Sequence, residues 1–82
     1  MPADQDTVNR VVKVTAQVLG LEPGTIKPTD NFVFDLGAES SQSVELVGAF
    51  EEEFDIDMEQ EAALAVASVQ GAADFIAKHL SR

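Results

Sequence analysis

The chain has no cysteine, tryptophan or tyrosine, one histidine, and only five basic residues among 82. Without cysteine there are no disulfides and no thiolate metal site, and a lone histidine cannot assemble a zinc centre, so no metal is expected. Five Lys and Arg against fifteen Asp and Glu, a formal charge of −10, leave no basic cluster for phosphates, which excludes nucleic acid as a partner. No apolar run approaches the length of a membrane-crossing helix or a signal-peptide core. No transmembrane segment is therefore expected, and the protein is placed in the cytoplasm. What is present is an apolar fraction of 45%, enough for one core, in a length that suits a single domain over 1–82.

The missing bases are also unevenly missing. Between Lys27 and Lys78 there is none, while Asp30, Asp35, Glu39, Glu45, Glu51, Glu52, Glu53, Asp55, Asp57, Glu59, Glu61 and Asp74 fall inside that stretch. Most charge runs are a solvated helix face. Twelve acids with no intervening base, however, forgo local i,i+4 pairing and add self-repulsion. A basic partner surface accounts for that pattern better than stability does.

Helical periodicity divides the chain. Asp4 or Asp6 suits the cap of a first helix running to Gly20, with Val8, Val11, Val12, Thr15 and Leu19 inward. Val12, Val14, Ala16 and Val18 also alternate as a strand would, but the end signals favour helix. Leu21 to Glu39 is a long connection, punctuated by Pro23, Gly24, Pro28, Asp30, Asn31 and Gly37, that Ile26, Phe32 and Leu36 should tie to the core. A second helix runs from Ser40 to about Phe54, with Val44, Val47, Phe50 and Phe54 inward, Leu46 beside them and Glu45, Glu51, Glu52 and Glu53 outward. After a break at Asp55 to Glu59, Gln60 to Val66 suits a short helical piece. Ser68 then caps a last helix with Val69, Ala72, Ala73, Phe75, Ile76 and Leu80 inward, and His79 placed to suit its dipole. The expected fold is all-α: a small four-helix bundle, three main helices and one short one, with a long first connecting loop.

The informative segment runs from Asp35 to Leu46, where a glycine turn delivers serines to the first turn of an amphipathic helix. Unpaired N–H groups and the positive end of the helix dipole favour a phosphate ester there. Ser40 equally suits a plain N-cap, the commonest employment of serine at a helix start. It lacks the surroundings of a nucleophile, since the only histidine lies near the C-terminus and there is no G-x-S-x-G elbow. No carboxylate pair of glycosidase type is identifiable either. Asp55-Ile56-Asp57-Met58-Glu59 begins like a calcium loop, but Gln60 stands where glycine is needed and Val66 where glutamate is needed.

The run Phe32-Val33-Phe34-Asp35-Leu36-Gly37-Ala38-Glu39-Ser40, then Val44-Glu45-Leu46-Val47 and Glu51-Glu52-Glu53-Phe54-Asp55-Ile56, resembles the acyl carrier protein family. That family is marked by D-L-G-x-D-S-L, a V-E-L helix and an E-E-E-F-x-I/V ending. Ser68-Val69-Gln70 with Asp74-Phe75-Ile76 resembles its last helix, so the likeness spans Val8 to Leu80. The resemblance implies a carrier, not an enzyme, whose Ser40 is esterified with 4′-phosphopantetheine from coenzyme A by a phosphopantetheinyl transferase. The arm's thiol would hold acyl intermediates as thioesters for fatty-acid, lipid or polyketide-type synthesis, which agrees with a chain lacking cysteine. It further implies a monomer whose acidic residues Asp35, Glu39, Glu45, Glu51 and Glu52 dock basic patches on acyl-transferring and acyl-modifying enzymes. An apolar acyl chain would be sheltered between the helices.

Four positions depart from the family pattern. Glu39 replaces the Asp before the modified serine, and Ser41 replaces the Leu after it. Gly48 stands where fatty-acid carriers have a surface Met, at about 1 kcal/mol relative to Ala in a helix interior. Phe34 stands where an acidic residue is common. Phe34 and Gly48 are expected at a partner-docking surface, and together the changes suggest a specialised carrier. Two alternatives stay open: an acidic helical interaction module that keeps the carrier fold without the arm, and a peptidyl or aryl carrier.

Overall fold

The computed structural model describes residues 4–80. Among them the chain forms α1 (Gln5–Leu19), α2 (Ser40–Phe54), α3 (Gln60–Leu64) and α4 (Val69–Leu80), with one 3-10 turn at Pro23–Thr25 and no strand. The all-α bundle expected from periodicity is what forms.

Asp4, not Asp6, opens α1: its Oδ1 accepts the Thr7 N–H at 2.8 Å. Gly20 closes the helix at φ 70°, the left-handed conformation that returns its N–H to the Ala16 carbonyl. With both ends fixed, the helical reading of Val12 to Val18 prevails over the strand alternation. Helix α1 packs against both α2 and α4, so its buried arc is wide. Val8, Val11 and Thr15 are buried as expected, Thr7, Val14 and Ala16 join them, and Val12 and Leu19 are only half-buried.

In α2, Leu46, Val47, Phe50 and Phe54 are buried. Val44, expected inside, is 47% exposed. At about 100° per residue it sits roughly a third of a turn off the line through Leu46, Phe50 and Phe54. The C-terminus of α2 is capped from α1: Arg10 Nη2 donates to the Glu53 carbonyl at 2.8 Å, Nε to Glu53 Oε2 at 3.0 Å, and the guanidinium lies 4.3 Å from the Phe54 ring centroid.

The connection after α1 is pinned to the start of α4. Phe32 N–H donates to the Ala67 carbonyl at 2.9 Å, Val69 N–H to Asp30 at 3.0 Å and Gln70 N–H to Pro28 at 2.8 Å. Ile26 and Phe32 are buried beneath it and Leu36 is half-buried, the tie expected of those residues. Helix α3 is shorter than the Gln60–Val66 piece expected, ending at Leu64. Ser68 Oγ accepts the Gly71 N–H at 3.0 Å, the expected cap of α4. Val69, Ala72, Ala73 and Ile76 are buried and Phe75 is half-buried, but Leu80 is 46% exposed. Leu80 keeps the angular position of the inner stripe, yet it is the last residue of α4, one turn beyond Ile76, the last buried residue of the helix.

Candidate functional site

The start of α2 is built by Glu39 and Gln42, not by serine. Glu39 is the N-cap, in extended backbone at φ −87° and ψ 167°, and its N–H donates to Gln42 Oε1 at 2.9 Å. Ser43 turns inward, half-buried, with Oγ donating to the Glu39 carbonyl at 3.3 Å. Ser40 is therefore not the cap but the first helical residue. Its side chain is exposed, and Oγ has no hydrogen-bond partner among the described residues. Ser41 is exposed as well, one position further into the turn. The N–H groups of Ser40 and Ser41 lie ahead of any intrahelical acceptor, at the positive end of a 15-residue dipole.

The loop leading there is tightly held. Asn31 Oδ1 accepts the N–H of both Val33 and Phe34 at 2.9 Å, and Asp35 Oδ2 accepts the Asn31 N–H at 2.7 Å. Gly37 then turns the chain into α2 at φ 74°. Phe34 stands at the tip of this turn, 88% exposed.

Beside α2 lies a cleft of about 230 Å³. Its walls come from distant parts of the chain: Phe32, Leu46, Val47 and Phe50 on one side, Met58, Ala63 and Val66 on another, and Ala72 and Phe75 from α4. Val33, Phe34 and Leu64, all exposed apolar residues, line it too, as does Ser43, one helical turn from Ser40.

The acidic residues expected to dock partners are not equivalent. Glu45, Gly48 and Glu52 are exposed and recur at i, i+3 and i+7, along the line opposite the buried stripe of α2. Glu51 sits on the flank, half-buried, and its Oε2 accepts the Met58 N–H at 2.9 Å, fastening the break between α2 and α3. Asp35 and Glu39 lie in the connection, the first tied to Asn31 and the second at the cap. Among the described residues from Asp30 to Glu61, Glu53 is the acid that the structure pairs with a base, Arg10. A Cβ added to Gly48 would meet nothing within 4 Å, so packing within the chain does not require glycine there.

A model of the phosphopantetheine attachment site matches residues 9–76, which is most of the chain. The chain is also 40% identical over 76 residues to an acyl carrier protein of Cyanidioschyzon merolae, an alignment covering 93% of this chain and 84% of that protein. This chain belongs to the acyl carrier protein family. Its prosthetic group is accordingly covalent 4′-phosphopantetheine, and its partners include a phosphopantetheinyl transferase and acyl-processing enzymes. The carrier's residues fit such a group: an unengaged, exposed hydroxyl stands at a helix N-terminus where a phosphodiester finds free N–H groups. Among the described residues no helix is long and apolar enough to cross a membrane.

Sequence reasoning passed over two residues that shape this site. Asn31 reads in the sequence as loop punctuation, although an Asn ahead of a turn is the signature of the side-chain staple it forms. Met58 gave no signal of its own, because what places it against the cleft is the long reach of Glu51.

Proposed function

We propose that Ser40 carries the phosphopantetheine arm, and that the protein holds acyl intermediates for fatty-acid, lipid or polyketide-type synthesis as a specialised carrier. The observation that carries this reading is the unengaged Ser40 hydroxyl at the first position of α2, one turn from a cleft with apolar walls. When attached, the arm supplies a thiol that holds the acyl group as a thioester. The chain's own residues do the rest. Ser40 anchors the phosphodiester, and the dipole of α2 stabilises its charge. Glu45 and Glu52 present an unpaired acidic line that steers basic enzyme surfaces towards Ser40, with Asp35, Glu39 and Glu51 adding to the field.

The cleft suits the cargo in polarity and size. Its volume of about 230 Å³ and largely apolar lining suit an apolar acyl segment.

Intact-mass measurement after incubation with coenzyme A and a phosphopantetheinyl transferase tests the attachment. Wild type gains the mass of one arm, Ser41→Ala does so too, and Ser40→Ala gains none. Labelling that persists in Ser40→Ala overturns the assignment.

A further inference from the structure

The surface that an arm-attaching enzyme must cover is almost wholly polar. Within one turn of Ser40 stand Glu39, Ser41, Gln42 and Ser43. The exposed apolar groups that the fold places on this side are Phe34 and Val33, which line the cleft together with Ser43, and Val44 on the next turn of α2. Phe34 dominates this set, with 88% of its surface open to solvent. Its position is not the slack tip of a loop. Asn31 Oδ1 holds the N–H of Phe34 and of Val33, and Asp35 holds Asn31 in return, so the ring is presented from a backbone already ordered before any partner arrives. Preordering of this kind removes part of the entropic cost of docking.

The charge around Phe34 selects what covers it. Asp30, Asp35 and Glu39 flank it in sequence, and no base lies between Lys27 and Lys78. A second copy of this chain would bring two such acidic surfaces together, which opposes self-association. An apolar pocket rimmed by Lys or Arg meets both the ring and its surroundings, and an aromatic anchor inside a charged rim is the usual composition of a binding hot spot.

We propose that Phe34 is the apolar anchor by which the phosphopantetheinyl transferase grips this carrier, its ring seated in an apolar pocket with a basic rim. The inference rests on Ser40 being the attachment residue. In the reaction that reports it, the bond from Ser40 Oγ to phosphorus forms as the pyrophosphate linkage of coenzyme A breaks. Adenosine 3′,5′-bisphosphate leaves, and the hydroxyl proton is lost to a base.

The test follows arm attachment by intact mass, using the full chain without its arm, coenzyme A and the transferase of the protein's own host. Phe34→Ala should raise KM roughly 10- to 30-fold with kcat little changed, and Phe34→Leu should recover much of the loss. The Phe34→Ala penalty should persist at high salt, whereas a penalty from Glu45→Gln should fade as salt screens the charges. Because the ring is exposed, these variants should keep the wild-type helical circular dichroism and urea midpoint. Wild-type kcat/KM in Phe34→Ala overturns the inference. A wild type that takes no arm, or takes it elsewhere than Ser40, overturns the attachment reading instead.

Discussion

Thr15 is completely buried in α1, and its Oγ1 has no hydrogen-bond partner among the described residues. A buried hydroxyl left unpaired carries its desolvation cost without return, so Thr15→Val should raise stability by about 1 kcal/mol, seen as a higher urea midpoint at constant m-value. Ile76, equally inaccessible in α4, is the converse case: Ile76→Ala should cost about 2–5 kcal/mol by the same measurement. Asp4 links the start of α1 to pH. The Thr7 backbone N–H, and then its hydroxyl, hold the Asp4 carboxyl below its ordinary 3.8. A folded value lower than the unfolded one gives stability that is complete above about pH 4 and lost as pH falls through the lower folded value. Asp4→Asn, which keeps a capping oxygen, should leave stability at pH 7 nearly unchanged and make the acid limb shallower in urea titrations from pH 5 to pH 2.

Among the elements, α2 carries the proposed attachment residue and the acidic line of Glu45 and Glu52. Gly48 lies in its interior on the solvent line, where an added Cβ meets nothing. Gly48→Ala should therefore stabilise the protein by about 1 kcal/mol, measured in urea. A simultaneous loss of arm attachment or acyl loading would place an enzyme's backbone or side chain against that glycine. Glu51 holds the segment between α2 and α3 through the Met58 N–H. Glu51→Ala should speed hydrogen exchange at the Met58 amide, while Glu51→Gln, which retains an acceptor oxygen, should leave it close to wild type. What the sequence disclosed follows the same division. The ends of α1, the cap of α4 and the inward Phe50 and Phe54 were legible because caps and periodicity are local. Val44 was misplaced because one apolar residue next to a stripe looks like part of it until the helix is rotated against its neighbours. Leu80 was misplaced because periodicity carries no information about where a packing surface stops. The position of Ser40 at a helix start was legible from Gly37 and the run after it. The cleft was not, since its walls come from the 31–34 turn, α2, the 58–67 segment and α4, which only the fold brings together.

For the molecule as a whole, the question is why a chain with a formal charge of −10 tolerates its own repulsion. If the acidic line of α2 steers partners, the association rate with a basic acyl-processing enzyme should fall steeply as ionic strength rises past physiological values, while dissociation changes less. Stopped-flow measurements from low to high salt would show it, and a rate indifferent to salt would return the charge to a solubility role. The central claim is the covalent arm on Ser40. It is tested most directly by mass spectrometry of the protein recovered from its own host. Trypsin is of little use, because no basic residue separates Lys27 from Lys78, whereas cleavage after glutamate frees the short Ser40–Glu45 peptide between Glu39 and Leu46. The account predicts that this peptide carries one phosphopantetheine, localised by fragmentation to Ser40, with an acyl thioester on part of the population. An unmodified peptide throughout, or an arm on Ser41 or Ser43, would contradict it.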